Sequence, residues 1–207
     1  GIAIGYATSE TREMLPFELA YSRRIAHAFD TQSHLGPDGK IQVNQEDGKI
    51  THIVASVQHT EPLQEARQEI EEIIKRTVGK FLSSDATVLC NPAGSFHMGG
   101  FAADTGATGR KIVQDQYGPQ IPVGGGAFSG KDATKVDRSG AYYARWVAKE
   151  LCKKTGRPAL VKFSWSIGEP YPVCSSHPKY DKSVQEIIDF LGLREPVFYE
   201  YTKRHHT

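Results

Sequence analysis

The run Gly124-Gly125-Gly126-Ala127-Phe128-Ser129-Gly130-Lys131-Asp132, continuing through Lys135 to Asp137, constrains this chain more than any other stretch. Its four glycines let backbone approach an anion closely, because no Cβ stands in the way and positive φ is open to each. Lys131 and Lys135 add positive charge, while Asp132 and Asp137 are placed to hold a cation against phosphate oxygens. Asp137-Arg138-Ser139 then opens a helical pattern, which sets the loop near a helix N-terminus, where unpaired N–H groups favour phosphate. Together these features read as a polyphosphate cradle. Gly125 to Lys131 fits the first part of the P-loop pattern G-x-x-x-x-G-K-[ST], but Asp132 stands where the Mg2+-binding hydroxyl belongs. A carboxylate there would face the phosphates, so an ordinary P-loop is disfavoured. A glycine-rich hairpin is the plainer alternative, although such a turn has little need of lysines and carboxylates at this spacing.

Composition narrows the class. Of 207 residues, 39% are hydrophobic and 24% charged, with a formal net charge of +1, enough for one large domain or two small ones sharing a core. Near-neutral charge gives no general pull toward nucleic acid or membranes, so phosphate binding has to come from local clusters. No apolar run reaches the roughly 18 to 20 residues a membrane span needs, and no signal peptide is visible. Cys90, Cys152 and Cys174 are far apart and lack metal-ligand spacing, which points to a reducing cytoplasm rather than a disulfide scaffold. The chain begins Gly1-Ile2-Ala3-Ile4-Gly5-Tyr6 without Met and already in strand-like sequence, which leads us to expect residues upstream.

Residues 1–8 read as a strand and Leu15 to Phe29 as an amphipathic helix. A turn is expected at Gly36-Pro37-Asp38-Gly39. Ile41–Asn44 and Ile50–Gln58 read as a hairpin closed by Glu46-Asp47-Gly48. Pro62 to Gly79 carries a helical apolar period, and Thr87–Cys90 reads as a buried strand. The stretch 95–132 is glycine-rich, with Lys111–Asp115 as a strand inside it; loops this long tend to be functional. Arg138–Lys154 reads as a helix, Leu160–Ile167 as a strand, Ser183–Phe190 as a short helix, and Thr202–Thr207 as a polar tail. Strands followed by helices, repeated along the chain, predict an α+β fold of sheet-plus-helix units with helices on one sheet face. No linker separates independent domains, so residues 1–207 are expected to form a single catalytic-type region.

Gly1 through Thr11, Gly36-Pro37-Asp38-Gly39-Lys40-Ile41-Gln42-Val43, Asp104-Thr105-Gly106-Ala107-Thr108-Gly109-Arg110-Lys111 and Gly124 through Ser139 follow in the order found in S-adenosylmethionine synthetases, which this chain resembles. The Gly-Gly-Gly-Ala-Phe-Ser-Gly-Lys-Asp run is that family's signature, and the resemblance is good to about residue 165, with Arg194-Glu195-Pro196-Val197-Phe198 weakly similar to its closing segment. It implies a methionine adenosyltransferase that joins ATP to L-methionine, releases triphosphate and hydrolyses it to pyrophosphate and phosphate. It also implies Mg2+ and K+, and a homodimer or dimer of dimers with active sites shared between subunits. By the resemblance Asp38 touches the adenosine side, Lys40 phosphate, Phe96 stacks on adenine, and Asp104 contacts bound ATP and methionine. Arg110, Lys111 and Lys131 grip the triphosphate as the catalytic groups, Ala127 lines the ATP site, Lys135 sits near methionine, and Asp137 binds metal.

The residue chemistry runs the same way. A triphosphate leaves only if its growing charge is met by fixed cations, and an Arg with several Lys and Mg2+ supplies them. Arg110 offers a planar fork, the lysines point charges. A thioether nucleophile needs no general base. The family's N-terminal His-Pro-Asp motif and its further metal-binding carboxylates are not in this sequence, so activity is expected to need residues upstream of Gly1. Ser95, Phe101-Ala102-Ala103 and Pro119-Gln120-Ile121-Pro122-Val123 also depart from the family pattern, which marks a divergent, compact member. A non-catalytic nucleotide-binding relative or scaffold subunit is the alternative, and an unrelated P-loop-like phosphatase a third.

Overall fold

A computed structural model describes residues 1–194. They form two compact units: Gly1–Pro16 with the described residues from Ala107 onward, and Phe17–Gly106. The tail and the closing segment beyond Arg194 lie outside the described residues.

The unit formed by Phe17–Gly106 is a three-stranded sheet in the order β2 (Leu35–Glu46), β3 (Lys49–His59), β4 (Leu82–Cys90), with helices α1 (Phe17–Asp30) and α2 (Leu63–Val78). β2 and β3 are antiparallel, whereas β3 and β4 run parallel through the α2 crossover. The hairpin turn forms as its sequence predicts, because Asp47 and Gly48 take φ of +48° and +75°, conformations Asp tolerates and Gly prefers. Along β3 the residues Ile53, Ala55, Val57 and His59 are buried while their neighbours are not, so one face of the strand meets the helices. Ile25 and Phe29 from α1 and Ile70, Ile73, Ile74 and Val78 from α2 join that face in one core.

Two expectations fail in this unit. Gly36-Pro37-Asp38-Gly39 is not a turn but part of β2. The register moves from Leu35 opposite His59 to Gly39 opposite Val57, so the breaker residues are absorbed as a bulge. The Gln58 side chain fills the space where Gly36 would carry a Cβ. Thr87–Cys90 is not a buried strand either: β4 is an edge strand, and Leu89 is 44% exposed.

In the other unit the sheet order is β1 (Ile2–Ala7), β5 (Ala159–Ser164), β6 (Cys174–Ser175), all antiparallel. Helix α4 (Val136–Thr155) packs on β1 and β5, and α5 (Val184–Leu191) adds Ile187 to the same core. The approach of α4 to β1 is close enough that a Cβ on Gly5 would fall 2.0 Å from Ala144 backbone. Buried Arg145 on α4 donates to the carbonyls of Tyr6, Glu13 and Met14, which ties down the connection after β1. Gly156 closes α4 in the left-handed conformation, and Ser183 caps α5 reciprocally with Glu186. Lys111–Asp115 is not a strand. Ile112–Asp115 forms a single helical turn, α3, whose hydrogen bonds are local and which Gly118 ends at φ +82°. The β-branched pair Ile112-Val113 has strand propensity, but the segment satisfies its backbone within itself. β5 also stops at Ser164, short of Ile167.

Candidate phosphate cradle and aromatic loop

The glycine run lies against β1 and the start of α4. A Cβ on Gly124 would sit 1.9 Å from the Ile2 carbonyl oxygen, so only a bare Cα fits there. On Gly126 it would lie 2.6 Å from the Asp137 Cβ. The loop therefore closes directly over the first turn of α4, where Asp137 sits, and is not the hairpin considered above. Lys131 Nζ donates to Asp137 Oδ2 at 2.6 Å, with both side chains partly shielded. Arg138 holds the same segment from behind: its Nη1 donates to the Lys131 carbonyl at 2.8 Å and its Nε to the Tyr142 hydroxyl at 2.7 Å. Nothing in the sequence pattern singles out Arg138, because its role depends on the loop folding back one helical turn.

Ala127 is half-buried beside Gly109, whose Cα would bring a Cβ within 3.3 Å of it. Lys135 is exposed and begins α4, its carbonyl receiving the N–H groups of Arg138 and Ser139. Asp132 uses Oδ1 to accept from the N–H and hydroxyl of Thr134, and these bonds hold its carboxyl below the usual range. Arg110 and Lys111 are exposed side chains just before α3. As exposed cations these two are free of the desolvation cost that a buried charge would carry.

The remaining candidates belong to the unit formed by Phe17–Gly106. Asp38 lies on the β2 bulge, and its Oδ2 accepts the Gly100 N–H at 2.8 Å. Lys40 is exposed opposite Ser56. Phe96 is half-buried, and Asp104 is exposed with Oδ1 accepting from the Gly106 N–H at 3.0 Å. The loop from Phe96 to Asp104 is thus held from the strand side, and it presents Met98 (69% exposed) and Phe101 (86% exposed) outward. Buried Asn91 supports the same strand end, bonding both the N–H and the carbonyl of Val57.

Among the described residues no three His, Cys, Asp or Glu side chains converge as a metal cage. Among them, too, no helix is long and apolar enough to cross a membrane.

Residues 1–96 match the family model for the central domain of S-adenosylmethionine synthetase, and residues 98–183 the model for its C-terminal domain. The S-adenosylmethionine synthase of Petrotoga mobilis is 38% identical over 96% of this chain and 58% of its own length. That of Kosmotoga olearia is 39% identical over 96% of this chain and 59% of its length. That of Thermus thermophilus is 41% identical over 84% of this chain and 48% of its length. The chain therefore spans about half to three-fifths of these curated relatives.

Proposed function

This chain belongs to the S-adenosylmethionine synthetase family, and from that premise we propose that it carries out methionine adenosyltransfer: S-adenosylmethionine formed from ATP and L-methionine. The observation that carries the reading is the Lys131–Asp137 pair at the glycine cradle, a cation and a carboxylate 2.6 Å apart where a triphosphate and its metal would meet.

In this reading the methionine sulfur attacks ribose C5′, the C5′–O bond breaks, and triphosphate leaves with the bonding pair. Sulfur becomes a sulfonium without losing a proton, so no general base is involved. Arg110, Lys111 and Lys131 meet the charge that grows on the leaving oxygens, which lowers the barrier because that charge is largest in the transition state. Phe96 stacks on adenine, Asp38 and Ala127 line the nucleotide, and Lys40 reaches phosphate. Asp104 contacts both substrates, and Lys135 lies by methionine. Asp137 would hold Mg2+, which when bound neutralises phosphate oxygens; a carboxylate beside bare glycine Cα atoms is a donor set of the right hardness. K+ would be held by carboxylates outside these residues. Water then splits the triphosphate into pyrophosphate and phosphate.

Residues 1–207 act in this reading as one catalytic region of a cytoplasmic enzyme. Two chains pair about a two-fold axis and share active sites, alone or as a dimer of dimers. The test is S-adenosylmethionine formation by the complete protein at saturating ATP and methionine, with and without Lys131→Ala. We expect the variant to lose roughly 10²- to 10³-fold in turnover, the usual cost of one such donor. Turnover near that of the parent removes Lys131 from the chemistry, and ATP binding without any turnover in the parent returns the non-catalytic relative.

A further inference from the structure

His59 ends β3 and is only 1% exposed, yet every polar atom it owns is engaged. Its N–H donates to the Phe96 carbonyl at 2.9 Å, and its ring Nε2 receives the Phe96 N–H at 3.0 Å. Its carbonyl accepts from His97 Nδ1 at 2.9 Å, and the two rings meet edge to face, 4.5 Å apart. Its own Nδ1 faces the Glu61 carbonyl at 2.7 Å. A backbone N–H can only donate and a carbonyl can only accept, so the ring is a neutral imidazole with its hydrogen on Nδ1 and Nε2 bare. Three of these four bonds end on Phe96 and His97. The seam continues with Gln58 Nε2 donating to the His97 carbonyl at 3.2 Å and Asp38 accepting from Gly100.

We propose that His59 is the positioning residue for the adenine-stacking ring: it grips both backbone polar groups of Phe96 and so presets where that ring stands before ATP arrives. The inference rests on the stacking role given to Phe96 above. The physical gain is preorganisation. Phe96 lies between Gly94 and Gly99-Gly100, flexible backbone that would otherwise have to be ordered by the nucleotide at an entropic cost. The clamp also explains why a histidine is needed. An aliphatic residue of similar bulk would fill the core but take away the acceptor of the half-buried Phe96 N–H.

Two isosteric variants of the complete protein separate positioning from packing. In His59→Gln the amide oxygen stands near the Nε2 position and keeps an acceptor for Phe96. In His59→Asn the amide nitrogen stands near Nδ1 and keeps the bond to Glu61, but nothing reaches Phe96. Dissociation constants for ATP alone, the KM for methionine and amide exchange at Phe96 are measured for each. We expect His59→Asn to raise the ATP Kd about tenfold, the worth of one buried hydrogen bond, and to speed Phe96 exchange while the methionine KM stays put. His59→Gln should remain near the parent in all three.

Equal effects of the two variants, or faster Phe96 exchange with unchanged ATP affinity, overturn the proposal. Phe96→Ala, made alongside, tells which premise failed. Unchanged ATP affinity there overturns the stacking role and the positioning role with it. A loss there with none in His59→Asn overturns the positioning role alone. Should His59→Asn not fold, the nitrogen-15 shifts of His59 in the unaltered protein still decide: a hydrogen on Nε2 overturns the clamp, and a bare Nε2 supports it.

Discussion

Lys131 and Asp137, six residues apart in sequence, form an ion pair at 2.6 Å where the glycine loop folds back over the first turn of α4. Without nucleotide, each therefore neutralises the other. Binding of a metal–triphosphate would exchange these partners, the lysine for phosphate oxygen and the carboxylate for Mg2+. The two side chains should accordingly fail differently. Asp137→Asn is expected to raise the Mg2+ concentration for half-maximal activity by on the order of tenfold, the loss of one charge-assisted contact. Initial rates across a Mg2+ series at saturating ATP and methionine check this, and an unchanged Mg2+ requirement would release Asp137 from metal binding.

A shared active site makes a prediction about mixtures. If the glycine loop and the Arg110-Lys111 pair at each site come from different chains, a dimer of one Arg110→Ala chain and one Lys131→Ala chain has one site with both defects and one with neither. Activity should rise toward about a quarter of the parent's when equal amounts of the two inactive proteins exchange subunits at random, because about half of the dimers are then mixed and each of those has one intact site. Proven mixed dimers that stay inactive would mean that both groups serve the same site from one chain.

The packing of α4 on β1 can be tested by a single methyl group. A Cβ at Gly5 would fall 2.0 Å from both the carbonyl carbon and oxygen of Ala144, which are backbone and cannot swing aside. Gly5→Ala should cost about 3 kcal/mol or more, at the upper end for overpacking. Thermal or denaturant unfolding reads it out, and a midpoint equal to the parent's would contradict so close an approach.

Alkaline pH should weaken the fold through two acids, one half-buried and one buried. Burial, with Glu71 nearby, pushes the Cys90 thiol up to about 11. Burial, with Tyr180, Asp181 and Glu186 adding to it, pushes the Tyr143 hydroxyl up to about 12. A group whose folded value is raised contributes stability that is complete below its unfolded value and lost as pH rises through the folded one. Stability should thus begin to fall above about pH 9 for the thiol and go on falling through about 11 and 12. Urea midpoints from pH 8 to 11 measure the slope, and Cys90→Ala should flatten its first part. A Cys90→Ala profile identical to the parent's would show that this thiol does not carry the effect.

The sequence by itself determined the features that depend on short-range chemistry. The helical apolar periods of α1, α2 and α4 are visible in it, as is the Asp47-Gly48 turn, because the residues that decide them lie within a turn or two of each other. The glycine–lysine–carboxylate run announced the family, because each of its residue types has a separate steric or electrostatic reason to be there. Only tertiary structure decided the rest. Gly36-Pro37-Asp38-Gly39 has the composition of a turn and becomes a bulge, because β3 pairs on both sides of it and Gly100 offers Asp38 an N–H. Ile112-Val113 has the composition of a strand and becomes a helical turn, because its backbone is satisfied locally. In the sequence His59 only follows the Ile50–Gln58 strand pattern and Arg138 only opens a helical one. They act on Phe96 and Lys131 only because folding closes loops of 37 and 7 residues, and no pattern along the chain records which distant N–H or carbonyl a side chain will meet.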